Sequence, residues 1–168
     1  VGEEPTVRVL VVCSGNICRS PMAAEYLRHR AARSGLEHLV VDSAGTLGIE
    51  GAPASDEAIR TLRECGLDLS GHRSKGLTAA SLRSADLVLA MASDHLDYLA
   101  AAYPGVGGAR RLLRAFEHGS DPVADPADLD DPIGREVEVY REQFGVIRTC
   151  VDHVVVYLRH AGSSRRGD

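Results

Sequence analysis

Hydrophobic positions fall in two alternating rhythms along the chain. Val7-Arg8-Val9-Leu10-Val11-Val12 is β-branched and nearly continuous in apolarity, the pattern of a strand buried on both faces of a parallel sheet. After an eight-residue loop, Met22, Ala23, Tyr26, Leu27 and Ala31 recur at helical spacing. They predict a helix to about Arg33, with Ser20 as N-cap and Pro21 at the first helical position, where its missing N–H costs little. Gly35 ends it, and Leu39–Ser43 reads as a second strand before a turn at Ala44-Gly45. Ser55 is placed to cap a helix from Asp56 to Cys65, and Thr78 to start a short one through Leu82. Leu87–Met91 predicts a third strand, Asp94–Tyr103 a helix and Ala109–Leu113 a fourth strand. Finally Val137, Tyr140, Phe144, Ile147, Val151, Val154 and Leu158 lay one apolar face on a helix to about Arg159.

Strands alternate with helices without repeat or linker. That order predicts a single-domain α/β fold, a four-stranded parallel sheet flanked by helices on both faces, flavodoxin-like or Rossmann-like in layout. Residues 1–160 would form the domain and 161–168 a polar tail. In such sheets ligands bind beyond the carboxyl ends of the strands, where the loop from Cys13 to Ser20 must lie.

Composition narrows the function. The 168 residues are 44% hydrophobic but only 4% aromatic, with no Trp, so the core is built mainly from Val, Leu and Ala. Nineteen basic residues against 24 acidic ones give a net charge of −5, which argues against nucleic acid or an anionic membrane as partner. No run approaches the roughly 20 apolar residues of a spanning helix, and Val7–Val12 is too short for a signal-peptide core. The expectation is a cytoplasmic monomer. Four Cys without an export signal point to thiol chemistry or burial rather than a disulfide framework.

Cys13-Ser14-Gly15-Asn16-Ile17-Cys18-Arg19-Ser20 joins the first strand to the first helix. With Gly15 permitting φ > 0, successive backbone N–H groups can turn toward one point, and the helix dipole adds partial positive charge there. Arg19 contributes a planar fork suited to two phosphate oxygens. The same field favours thiolate over thiol at Cys13. A phosphate held over a thiolate invites attack at phosphorus and a phosphocysteine that water then hydrolyses, with Ser20 donating a hydroxyl hydrogen bond to the departing sulfur. The loop lacks the G-x-x-x-x-G-K-[ST] and G-x-G-x-x-G patterns of nucleotide binders. Its Cys spacing does not suit zinc, and no Cys/His pair accompanies it. Neither metal nor cofactor is expected. His29, His38, His95, His118, His153 and His160 show no metal-ligand grouping and are expected at the surface, while Cys65 and Cys150 are expected in the core.

The run Val12-Cys13-Ser14-Gly15-Asn16-Ile17-Cys18-Arg19-Ser20-Pro21-Met22-Ala23 resembles the signature loop of the low-molecular-weight protein tyrosine phosphatases. Asp42-Ser43-Ala44-Gly45, Ser70-Gly71-His72-Arg73, Ala85–Met91 and Asp131-Pro132 extend the likeness through most of the chain. The resemblance implies the four-stranded parallel fold and a phosphorylated protein substrate. It implies Cys13 as nucleophile, and Arg19 with the loop residues Ser14, Gly15, Asn16, Ile17, Cys18 and Ser20 as binders of phosphate and similar oxyanions. It also implies Asn16, Ser43 and His72 as a network supporting the loop, and a Cys18 able to pair with Cys13 in a protective disulfide; simple packing of Cys18 under the loop is the other reading.

Expelling an aryloxide needs a proton donor, and Asp121, Asp125, Asp128, Asp130 and Asp131 crowd one loop. The resemblance selects Asp131, immediately before Pro132 and ahead of the last helix, with Asp128 and Asp125 behind it. Two positions pull apart on substrate. Relatives acting on phosphotyrosine tend to carry an apolar residue at position 17 and the related protein arginine phosphatases a Thr, so Ile17 favours phosphotyrosine. The wall aromatics usual after Asp-Pro are replaced by Ile133-Gly134, leaving Tyr98 to supply a wall or the wall without an aromatic. Arsenate reductase is a weaker rival, because residues 77–113 contain no resolving Cys. A non-catalytic phosphate-binding module ranks lower still, since every reactive group is present.

Overall fold

The computed structural model describes residues 5–164. Four parallel strands, β1 (Val7–Cys13), β2 (Leu39–Gly45), β3 (Leu87–Ala90) and β4 (Ala109–Leu112), form one sheet in the order β2-β1-β3-β4. Among the described residues five helices accompany them: α1 (Arg19–Ala32), α2 (Asp56–Glu64), α3 (Ala79–Ser84), α4 (Ser93–Ala102) and α5 (Val137–Ser164). A 3-10 turn over Leu113–Phe116, which the apolar pattern does not announce, follows β4.

The period of two along β1 divides the core. Val9, Val11 and Cys13 face one side and pack into a cluster with Met22 and Leu27 of α1, Leu62 of α2 and Tyr140, Ile147 and Val154 of α5. Leu10 and Val12 face the other side, against Leu82 of α3 and Leu99 of α4. A central strand covered on both faces needs apolar residues at successive positions, so β1 reads as an unbroken run rather than an alternation.

Several expected boundaries move, most by one or two residues. The second strand continues through Ala44 and Gly45, because Gly45 pairs with Cys13 across the sheet and bridges Gly76 on its other side. The last helix runs on to Ser164, so residues 161–164 of the expected tail are helical; residues 165–168 of that tail lie outside the described residues. Gly45 could not be another residue at this packing: a Cβ there would lie 2.5 Å from the Ser14 carbonyl oxygen. Its amide donates to the Lys75 carbonyl, and the next two amides, of Thr46 and Leu47, donate to the carbonyls of Cys13 and Ser14. The carboxyl end of β2 is thereby stitched to the loop that leaves β1.

Candidate active site

That loop begins at Cys13, a buried residue at the end of β1, and closes into α1 at Arg19. Its sharp bend belongs to Asn16, whose φ of 56° is the single left-handed value among the described residues other than glycine. The expectation that Gly15 would supply the positive φ is corrected. Asn tolerates this region better than most residues, at a cost on the order of 1–2 kcal/mol, and here the side chain offsets it. Asn16 is fully buried. Its Nδ2 donates to Ser20 Oγ at 2.8 Å and to Ser43 Oγ at 2.9 Å, its Oδ1 accepts from the Lys75 amide at 3.0 Å, and its carbonyl accepts from His72 Nε2 at 2.6 Å. The structure thus brings Asn16, Ser43 and His72 together.

Ser20 is not the N-cap of α1. Cys18 takes that position without a side-chain cap bond, so Pro21 falls in the third helical place. The Ser20 hydroxyl instead lies 2.9 Å from Cys13 Sγ. Because Asn16 Nδ2 already donates to Ser20 Oγ, the hydroxyl proton is directed at the sulfur. The Asn16 amide donates to the same sulfur at 3.3 Å. Two donors converging on one sulfur suit a thiolate. α1 also has no acidic residue in its first turn, which leaves the positive end of its dipole without a carboxylate of its own. An anion arriving over Cys13 would fill that role.

Arg19 is buried, with its Nη1 donating to the Leu129 carbonyl at 2.7 Å and its Nη2 3.5 Å from Asp131 Oδ2. Leu129 is itself fastened to the end of β3 by its amide's bond to the Met91 carbonyl. The Asp-rich loop is therefore pulled back over the strand ends. Of its carboxylates, Asp131 is set beside Arg19 with its side chain 43% exposed. Asp128 is engaged elsewhere, accepting from the Ser93 amide and hydroxyl at the start of α4.

Ile17 and Ile49 both approach Gly15: a Cβ added there would stand 3.5 Å from Ile17 Cγ1 and 3.7 Å from Ile49 Cδ1. Ile133, half exposed, follows Asp131, whose Oδ1 accepts from the Ile133 amide. The ring contact of Tyr98 is with Tyr103, edge-on within the α4 end. Cys13 and Cys18 are both free thiols. Cys18 Sγ lies 3.2 Å from Tyr140 Oη and 3.5 Å from Ser55 Oγ, and burial pushes its pKa up against the pull of those two bonds. Cys150 is buried, its thiol pushed up to about 12 by desolvation. Cys65, expected in the core, is exposed at the end of α2.

Sequence reasoning missed His95. Expected at the surface, it is buried, with Nε2 2.8 Å from Ser14 Oγ and Nδ1 accepting from the Ala92 amide at 3.1 Å. The available signal was position: His95 stands in the first turn after β3, at the same sheet edge as Cys13. His153 is also half-buried rather than at the surface, its Nδ1 2.6 Å from the Phe116 carbonyl.

Comparison with known proteins is consistent across sequence and structure. The family described as "Low molecular weight phosphotyrosine protein phosphatase" matches residues 8–162. A protein-arginine-phosphatase of Geobacillus stearothermophilus is 36% identical over 152 residues, 90% of this chain and 96% of that one. A low molecular weight protein-tyrosine-phosphatase of Streptomyces coelicolor is 41% identical over 133 residues, 76% of this chain and 77% of that one. The solved structure of the YwlE arginine phosphatase from Geobacillus stearothermophilus superimposes with a TM-score of 0.83 at 34% identity, covering 94% of this chain and 96% of the other.

The His72 support carries a pH signature. Burial lowers its pKa below the usual 6.5; the bond to the Asn16 carbonyl opposes this, and the positive charges of Arg28, Arg73 and Lys75 add to the lowering. The unfolded chain therefore takes up the proton more readily than the native one. The stability contributed is complete above about pH 6.5 and is lost as the pH falls from there toward the lowered native value, with a slope of at most about 1.4 kcal/mol per pH unit for one such group. Urea denaturation across pH 8 to 5 should show this decline, and His72→Gln, which keeps a donor in reach of the carbonyl, should flatten part of it. An unchanged slope in the variant would remove His72 from that balance.

Proposed function

The chain belongs to the low molecular weight phosphotyrosine protein phosphatase family, and from that premise we propose that it hydrolyses phosphotyrosine in protein substrates through a phosphocysteine on Cys13. The observation that carries the proposal is the convergence of the Asn16 amide and the Ser20 hydroxyl on Cys13 Sγ, at the start of a helix whose Arg19 lies beside Asp131.

In the first step the Cys13 thiolate attacks phosphorus, the S–P bond forms and the P–O bond to the tyrosyl oxygen breaks. Asp131, entering as the carboxylic acid, gives its proton to that oxygen. Arg19 and the amides of the loop from Ser14 to Arg19 hold the three equatorial oxygens, whose charge is spread in the transition state. In the second step the Asp131 carboxylate takes a proton from water as the water oxygen attacks phosphorus. The S–P bond breaks, phosphate leaves, and the electron pair returns to a sulfur held by the Asn16 amide and the Ser20 hydroxyl. The Cys18 thiol takes no part; its packing against Tyr140 and Ser55 supports a structural place under the loop.

Ile17 favours an aryl ester. With Ile49 it sets apolar side chains beside Gly15 of the loop, a surface that an aromatic ring covers without loss. The guanidinium of phosphoarginine would leave its N–H groups short of acceptors there. The arginine reading keeps one observation of its own: the residue after Asp131-Pro132 is the half-exposed Ile133 rather than an aromatic wall.

Turnover of a phosphotyrosine peptide and a phosphoarginine peptide, compared in the wild type and in Ile17→Thr, tests the substrate. The wild type should prefer phosphotyrosine, and the variant should shift the ratio of kcat/KM toward phosphoarginine. A wild-type preference for phosphoarginine would replace the proposed substrate. Asp131→Ala should slow aryl phosphates with poor leaving groups by about 100-fold or more while sparing those with good ones. Equal losses across the series would assign the acid to another carboxylate.

A further inference from the structure

His95 has both ring nitrogens engaged, and its partners decide which one carries the proton. The Ala92 amide can only donate, so Nδ1, 3.1 Å away, is an acceptor without a proton. The neutral ring therefore carries its hydrogen on Nε2, which donates to Ser14 Oγ at 2.8 Å. Ser14 is then the acceptor in that bond, and its own hydroxyl proton remains to be given elsewhere. Ser14 is the first residue of the loop beyond Cys13. Its main chain is held from the β2 side by the Leu47 amide, which donates to its carbonyl, and by the close approach of Gly45. Its side chain is held from the α4 side by His95.

We propose that His95 is a positioning residue for the phosphatase site: its Nε2–H holds Ser14 Oγ as an acceptor, so that the Ser14 hydroxyl donates its proton to an oxyanion bound over Cys13. The inference rests on the functional reading above and adds to it a residue outside the loop, on a different element of the sheet edge.

The surroundings keep the ring in this state. A proton on Nδ1 would face the Ala92 N–H and break the bond there. Burial and the Arg19 guanidinium disfavour the charged ring, against the opposing carboxylates of Asp94 on its own helix and of Asp131 and Asp128 on the loop packed over the site. Asp94 Oδ1 is 3.9 Å from Nε2, beyond hydrogen-bond distance, so Ser14 is the partner of that nitrogen.

A purely structural part for His95 would be the Ala92 bond alone, which ties the first turn of α4. Two substitutions separate that part from the proposed one. The Asn amide occupies the place of Nδ1 and is too short for Ser14, whereas the Gln amide reaches the place of Nε2. His95→Asn should therefore keep the thermal midpoint near wild type but lower kcat on a chromogenic aryl phosphate, and weaken competitive inhibition by inorganic phosphate, by about tenfold, the effect of one lost hydrogen bond to a charged group. His95→Gln should restore kcat. Ser14→Ala should cost about the same, and adding His95→Asn to it should cost nothing further. Wild-type kcat in His95→Asn, equal losses in Asn and Gln, or losses that add in the double variant would overturn the proposal. Should the variants not fold, nitrogen-15 NMR of the wild-type imidazole decides. A neutral ring protonated on Nε2, whose signal moves when inorganic phosphate is added, is expected; a proton on Nδ1, or no response to phosphate, overturns it. A wild type that binds phosphate with that response yet hydrolyses no aryl phosphate would sink the functional reading and leave the positioning of Ser14 standing.

Discussion

The structure turns on a buried asparagine held in a left-handed bend. Asn16 adopts a conformation that most side chains would resist, and every polar atom of its side chain is committed: to Ser20, to Ser43 and to the Lys75 amide. Released from those bonds, the backbone would gain by relaxing to ordinary φ values. The Asn16 amide would then swing away from the Cys13 sulfur, and Ser20 would lose the donor that turns its hydroxyl proton toward that sulfur. Loop curvature and sulfur environment are thus one constraint.

The sheet supplies the means of enforcing it. Because β1, β2 and β3 run parallel, their carboxyl ends fall at one edge, and each contributes a fastening. β2 ends in Gly45, close enough to Ser14 to exclude a side chain, and its neighbour Ser43 holds Asn16. The stretch from His72 to Gly76 adds itself beside β2 and binds Asn16 from outside. β3 leads into α4, which brings His95 to Ser14, and its Met91 anchors Leu129, the residue on which Arg19 rests. A loop that would otherwise be mobile is tied to all three strands, which is how a strained conformation persists at a functional site.

How much of this could be read from residues alone differed by element. The continuous apolarity of β1 and the three-and-four spacing of the last helix announce burial directly, because burial on one or two faces is what selects those residues. The loop chemistry was legible through Cys13, Arg19 and Ser20, whose types are unusual together. Where expectation failed, local preference was overruled by a distant partner. Ser20 before Pro21 looks like a helix cap, yet Asn16 and Cys13 claim its hydroxyl, and the helix starts two residues earlier. Gly15 looks like the left-handed residue, yet the side-chain bonds of Asn16 stabilise the bend one position on. His95, in a polar first turn, looks solvated, and only the convergence of strand ends shows that its ring faces Ser14. Asp131 and Asp128 are indistinguishable by type, and their partners, Arg19 and Ser93, are what part them.

The central claim is that the sulfur at the foot of this bend takes up the phosphoryl group. The most direct measurement is a rapid acid quench of the enzyme during turnover of an aryl phosphate, followed by mass spectrometry of the peptide that carries both Cys13 and Cys18. The account predicts one phosphoryl group, attached to Cys13 and absent from the Cys13→Ser protein as a thiophosphate. A phosphoryl group on Cys18, or hydrolysis at full rate with no phosphoenzyme and no loss of rate in Cys13→Ser, would contradict it.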